Sequence, residues 1–290
     1  MKNKGKGKVQ EVGKKTGIFL NRRKKTLLLV GFAAAYLTAA LLAGFWISPK
    51  SYGVDYSAKF LPPCAAHPFG TDDMGRDMFF RSIKGLSNSI AIGVVASAAS
   101  SAIALAFGVT AAVKGGLADR FVNWCVDLCM GIPHLILLIL ISFMMGRGQK
   151  GVMAAVALTH WPELTRLVRA EVLQIRSAQY VQASYRMGKT RLWVAWRHMV
   201  PHGLPVYLIG VILLFSHAIM HEAAVTFLGF GFPAEVPAIG VILSESMKHI
   251  AAGNWWLAAF PGLLLLLAVM LFDVAGESLK RLLNPNSGNE

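Results

Sequence analysis

The side chains best suited to chemistry in this sequence lie in one apolar run, Ser216-His217-Ala-Ile-Met220-His221-Glu222. On a helix His217 and His221, four positions apart, project about 40° from each other and share a face. Neutral imidazole suits nickel, zinc or copper, and Met220 and Glu222 add donors on neighbouring faces. Ionisable groups in such a run are costly and face a cavity or another helix. Two readings fit the pair: hydrogen bonds to facing helices, or contact with a transition-metal ion on a path through the protein.

Other candidates read more simply. Cys125 and Cys129 share a helical face inside an apolar run and pack there as small hydrophobes. With Cys64 they make no disulfide framework. His134 follows Pro133, where a helix can break, and reads as a polar contact facing other helices. Asp72, Asp73 and Asp77 offer carboxylates for a divalent cation, but Arg76 beside them favours an ion-paired structural element. Asp127 and Asp273, near the ends of apolar runs, can reach interfacial water or a cation. His221-Glu222-Ala-Ala-Val225 begins like the zinc-protease pattern HExxH, yet Val225 stands where the second histidine belongs, which sets a protease aside. No Gly-x-x-x-x-Gly-Lys-Ser/Thr loop occurs, so the chain does not bind ATP in that manner.

The elements that must hold these residues are membrane helices. Of 290 residues 55% are hydrophobic and 15% charged, with a mean hydropathy of +0.52. A soluble domain carries about a quarter charged residues. Residues 27–47 form an uncharged run that would make about 32 Å of helix, enough for a hydrocarbon core of about 30 Å. It is too long for a signal-peptide core and lacks a well-placed cleavage site, so it reads as an uncleaved first span. Further spans are expected at 88–113, 121–145, 151–161, 205–231 and 254–276. The fourth is short and ends at Pro162, so it crosses only by drawing on the polar helix that follows or by lying inside a bundle.

Charge orients these spans. Lys and Arg outnumber Asp and Glu by 29 to 15, a formal charge of +14. Segments 1–26, 114–120, 162–204 and the end after Gly276 hold 21 of the cations, the remaining loops eight. Both termini are therefore expected in the cytoplasm, with 48–87 and 232–253 outside. Cations placed between apolar runs argue against nucleic-acid binding; the basic start can touch anionic lipid headgroups. The expected fold is an all-α integral membrane protein of about six transmembrane helices. Its parts are a basic tail (1–26), a first span (27–47), an external segment (48–87), a core (88–280) with the cytoplasmic loop 162–204, and a tail (281–290).

Loop 162–204 reads as short helices: 163–173 by its apolar period, 178–187 closed by Gly188, and 191–199 before Pro201. A short helix, a glycine and another helix between two spans suit an element that projects and docks. The stretch YVQASYRMGKTRLWVAWRHMVPHGLP resembles the EAA loop of ABC importer permeases. Gln182 stands where that pattern has Glu, Ser184 where it has the second Ala, and Val200 where it has Leu. Ala183, Gly188 and Pro201 keep their spacing. Losing the Glu removes the carboxylate of any salt bridge to an ATPase at this position but leaves the docking role. HPFGTDDMGRDMFFRSIKG and EAAVTFLGFGF are similar to segments of the permeases for dipeptides, oligopeptides and nickel, so the resemblance spans roughly residues 25–285.

The resemblance implies a non-enzymatic, multi-pass inner-membrane subunit with no cofactor of its own. Its implied partners are a second homologous permease, two cytoplasmic ATPases carrying ATP and Mg, and an extracytoplasmic solute-binding protein. Gln182, Ala183, Ser184, Gly188 and Pro201 would couple to the ATPase. His217, His221 and Glu222 would line the substrate path, with the two histidines as metal ligands. These histidines and Thr159-His160-Trp161 look nickel-type, which favours nickel or a nickel chelate as cargo, with di- or oligopeptides as the alternative. A passive channel would need no docking loop.

Overall fold

The structure, a computed structural model, describes residues 13–283; the remaining parts of the two expected tails lie outside the described residues. In chain order the helices are α1 (Gly13–Trp46), α2 (Met78–Lys114), α3 (Gly116–Gly131), α4 (His134–Met144), α5 (Gly148–Thr159), α6 (Trp161–Arg176), α7 (Gln179–Arg186), α8 (Arg191–Val194), α9 (Val200–Phe227), α10 (Ile239–Ile250) and α11 (Trp256–Leu283). A π-helical turn, Ala195–Met199, carries α8 into α9. Among the described residues β-pairing is limited to an isolated bridge between Thr71 and Asp77. The all-α expectation holds.

Four helical stretches are long and apolar enough to cross a membrane: Thr26–Trp46, Met78–Lys114, Arg191–Phe227 and Trp256–Leu282. A fifth crossing is available if α3 and α4 count together, although they meet at 96°. Ile132-Pro133 causes that bend, because proline removes a backbone donor and restricts the residue before it. The weak fourth expectation, 151–161, falls on α5, whose 12 residues span only about 18 Å. His160 separates it from α6, which places Pro162 in its first turn, where a missing N–H costs nothing. Only α5 and α6 in series have the length of a span.

Helix α2 is the hub and packs against α1, α5, α6, α9 and α10. In lipid no hydrophobic force drives helices together, so small residues that permit close approach carry the interface. Its buried face accordingly includes Gly93, Ala96, Ser97, Ser100, Ser101, Ala104, Gly108 and Ala111. At Gly108 the approach to α6 is closest: a Cβ there would lie 2.8 Å from Val168 Cβ and 3.0 Å from the Thr165 carbonyl oxygen. Among the described residues three of the apolar clusters bear on the site. Leu86, Ile90, Phe215 and Ile219 join α2 and α9 beside α1 and α11. Ala96, Leu138, Val156 and Ala218 hold the α4–α5 hairpin on α2 and α9. Val168, Val172, Ile175, Val181 and Met199 close the opposite end, next to α7.

The segment before α2 is fixed by ions. Asp72 accepts from Arg76 Nε at 2.6 Å, from buried Arg81 Nη1 at 3.1 Å and from the amides of Met74 and Arg76. Both arginines also donate to Glu245 of α10, at 3.1 and 2.7 Å. Asp77 caps α2 through the amides of Phe79 and Phe80, and its other oxygen lies 2.7 Å from His67 Nδ1. The structural reading of these aspartates stands, and a cation site is not needed to explain them.

Candidate functional site

Two features stand out, a projecting helix and a cavity. The helix is α7. Val181 is fully buried in the cluster beneath and Tyr185 packs at its edge, while Gln182, Ala183, Arg186 and Met187 are exposed. Gly188 adopts φ +80°, a conformation open to glycine at little cost, and the amides of Met187, Gly188 and Lys189 turn back onto the carbonyls of Ala183, Tyr185 and Ser184. The next turn starts at once, with Thr190 accepting from the Trp193 amide to cap α8. Gln182 donates to the Arg176 carbonyl at 2.8 Å, and the Ser184 hydroxyl lies 3.3 Å from His198 Nε2. Pro201 sits in the first turn of α9. The other four of the five expected coupling residues lie in one knuckle between α6 and α9. Around it Met187, Leu192, Trp193 and Trp196 are exposed among Arg186, Lys189, Arg191 and Arg197. So apolar and basic a surface suits a protein partner.

The cavity measures about 850 Å³ and is walled by the α3–α4 bend, the α5–α6 junction and α9. Along α9 its lining descends from His221 through His217, Leu214 and Leu213 to Gly210, about 16 Å towards the α7 end of the bundle. Glu163 and Lys280 contribute charge to its wall.

At its upper end three imidazoles converge. His134 opens α4 immediately after the Pro133 break, His160 fills the gap between α5 and α6, and His221 projects from unbroken α9. One ring nitrogen from each lies within 4.8 Å of the other two, and the ring centres are 4.6–5.1 Å apart. His160 Nδ1 lies 2.9 Å from the Val156 carbonyl oxygen, which can only accept, so this nitrogen carries the proton. The lone pair therefore sits on His160 Nε2, which accepts from His221 Nδ1 at 2.9 Å. His134 Nε2 is buried without a hydrogen-bond partner among the described residues.

The sequence pairing of His217 with His221 is not the grouping that forms. His217 lines the same cavity, but His221 meets His134 and His160 instead, since the α4 and α5–α6 breaks bring their rings to its level. Glu222, one residue on and so about 100° round the helix, turns out of the cavity. It is fully buried and accepts from Thr226 Oγ1 at 2.8 Å. Cys129 lines the cavity and Cys125 packs beside it against an apolar cluster. Asp127, expected to reach interfacial water or a nearby cation, accepts from Arg166 at 2.6 Å. Both missed partners lie within two residues of a proline, Pro133-His134 and His160-Trp161-Pro162, a feature that His67 and His202 share outside the site.

Residues 104–287 match the model of a family described as binding-protein-dependent transport system inner membrane component. The chain is 31% identical over 265 residues to the dipeptide transport system permease protein DppC of Bacillus subtilis, covering 91% of this chain and 83% of that one. It is 32% identical over 237 residues to the probable D,D-dipeptide transport system permease protein DdpC of Escherichia coli, covering 82% and 79%. Among solved structures, inward-facing conformations of the MetNI methionine ABC transporter share the fold, with a TM-score of 0.59 at 19% identity over 71% of this chain and 98% of that one.

Proposed function

We propose, for a chain that belongs to the family of binding-protein-dependent transport system inner membrane components, that it forms one half of the translocation path of an ATP-driven importer and couples to a cytoplasmic ATPase through α7. The observation that carries this is the knuckle itself: α7, anchored by Val181 and closed by Gly188, offers an exposed face at the end of the bundle towards which the cavity runs. A rigid helix seated in an ATPase passes its closure to α6 and α9, which wall that cavity, and so biases one of two access states. Hydrolysis, with ATP and Mg, belongs to the ATPase partners, and a second permease and an extracytoplasmic binding protein complete the assembly. The 21-to-8 split of Lys and Arg supports α7 and both termini on the cytoplasmic side.

For cargo, the relatives' names favour di- or oligopeptides over the nickel expected from the sequence. A cavity of about 850 Å³ has room for a short peptide. Nickel or a nickel chelate is the second reading, supported by the imidazoles at the head of the cavity. Uptake of labelled dipeptide and of radioactive nickel, compared between cells with and without this chain, decides between them. Loss of peptide uptake alone is the expected result; loss of nickel uptake with peptide uptake intact would put the second reading first.

A further inference from the structure

We infer that His134, His160 and His221 form a binding site for a divalent late first-row transition-metal ion, with an open coordination position facing the cavity. The inference concerns this site and goes beyond the peptide reading, on which it does not rest.

The donor set decides the chemistry. Three imidazoles, with neither thiolate nor carboxylate in the grouping, suit nickel, copper, zinc or cobalt and are poor ligands for calcium or magnesium. Bonds of about 2.0–2.1 Å place tetrahedral ligand nitrogens about 3.4 Å apart. The His160–His221 pair, at 2.9 Å, therefore opens by roughly half an ångström, and the wider separations in the group, up to 4.8 Å, close towards that spacing by side-chain rotation. His160 is already prepared: its Nδ1–H is held by the Val156 carbonyl, the outer bond that fixes a ligating histidine's tautomer. His221 needs only to move its proton from Nδ1 to Nε2 for the inward nitrogen to become a donor to metal. All three residues line the cavity, so a fourth ligand or a chelator's free donors can approach from it.

Hydrogen bonding alone accounts for less. It pairs His160 with His221 but leaves His134 Nε2 buried with no partner among the described residues. A buried polar nitrogen of that kind needs a partner, a water or an ion. A metal ion takes up that lone pair together with the other two. Three protein ligands and an open position also suit transient binding, as an ion that enters must leave.

The test uses the full-length chain assembled with its partner subunits in lipid nanodiscs. Equilibrium dialysis against Ni2+ should give one bound ion per chain, and Co2+ should develop the visible bands of a nitrogen-ligated site. His134→Gln, His160→Gln and His221→Gln keep a hydrogen-bonding group and should each weaken Ni2+ binding by on the order of tenfold or more. His249→Gln, outside the cavity, controls for incidental imidazole binding and should leave it unchanged. ATPase co-purification is read in every sample, so loss of assembly is distinguished from loss of the metal site. Absence of stoichiometric Ni2+ binding by the wild-type assembly overturns the inference. So does binding by His134→Gln or His221→Gln as tight as the wild type, the result expected if a water fills the space between the rings.

Discussion

Gly108 sets the distance between α2 and α6, and its role is a matter of tenths of an ångström. A methyl group there meets Val168 at 2.8 Å and the Thr165 carbonyl at 3.0 Å, and the second of these is backbone that cannot rotate away. Gly108→Ala should cost about 1–3 kcal/mol through overpacking, despite its better helix propensity. A thermal unfolding scan of the detergent-solubilised chain should register a lower midpoint; an unchanged one would mean that α6 is not held where it is described. At this scale the sequence was only partly legible. The cost of burying His221 announced a partner, but the i, i+4 rule offered His217 as that partner because it is blind to other helices. The true neighbours come from 87 and 61 positions upstream, and nothing in local spacing encodes that convergence. Glu222 lies away from the cavity lining for a geometric reason, since a step of about 100° carries it from the cavity face to a buried one.

Elements were more legible where hydropathy alone decides them. The first, second, fifth and last expected spans each overlap an apolar helix of sufficient length. The third and fourth did not read cleanly, because the chain breaks at Pro133 and at His160, and the directions of the resulting pieces depend on tertiary packing. The knot before α2 was read correctly in kind, though Glu245 could not be anticipated from a distance of 164 positions. Its energetics follow from burial. Asp72 and Arg81 are 5% and 3% exposed, so Asp72→Asn removes a buried carboxylate shared by two arginines and leaves Glu245 as the acid facing Arg81. Breaking a buried pair from one side costs about 3–5 kcal/mol, whereas Asp127→Asn, at the solvent-exposed pair with Arg166, should cost about 1 kcal/mol or less. Chemical unfolding of the two variants side by side should show this contrast. Equal effects would mean that the segment is not held by its ion pairs.

The molecule as a whole was the most legible scale, because its signals are long-range sums: hydropathy, cation distribution and three family-like motifs in order. They led to an all-α importer subunit, and the family match over residues 104–287 agrees. Cargo was the least legible. A cavity is assembled from several helices, and the histidines that suggested nickel lie in a chain whose named relatives carry peptide titles. The central proposal is mechanical: α7 would be where ATP hydrolysis by a partner enters this chain. A photoreactive amino acid introduced at Ala183, on the exposed face of α7, tests it most directly. Irradiation of intact membranes should yield a covalent adduct between this chain and the ATPase subunit, while the same probe at Ser57, in the segment expected outside, should yield none. An ATPase adduct from Ser57, or none from Ala183 in membranes that retain the ATPase, would contradict the account.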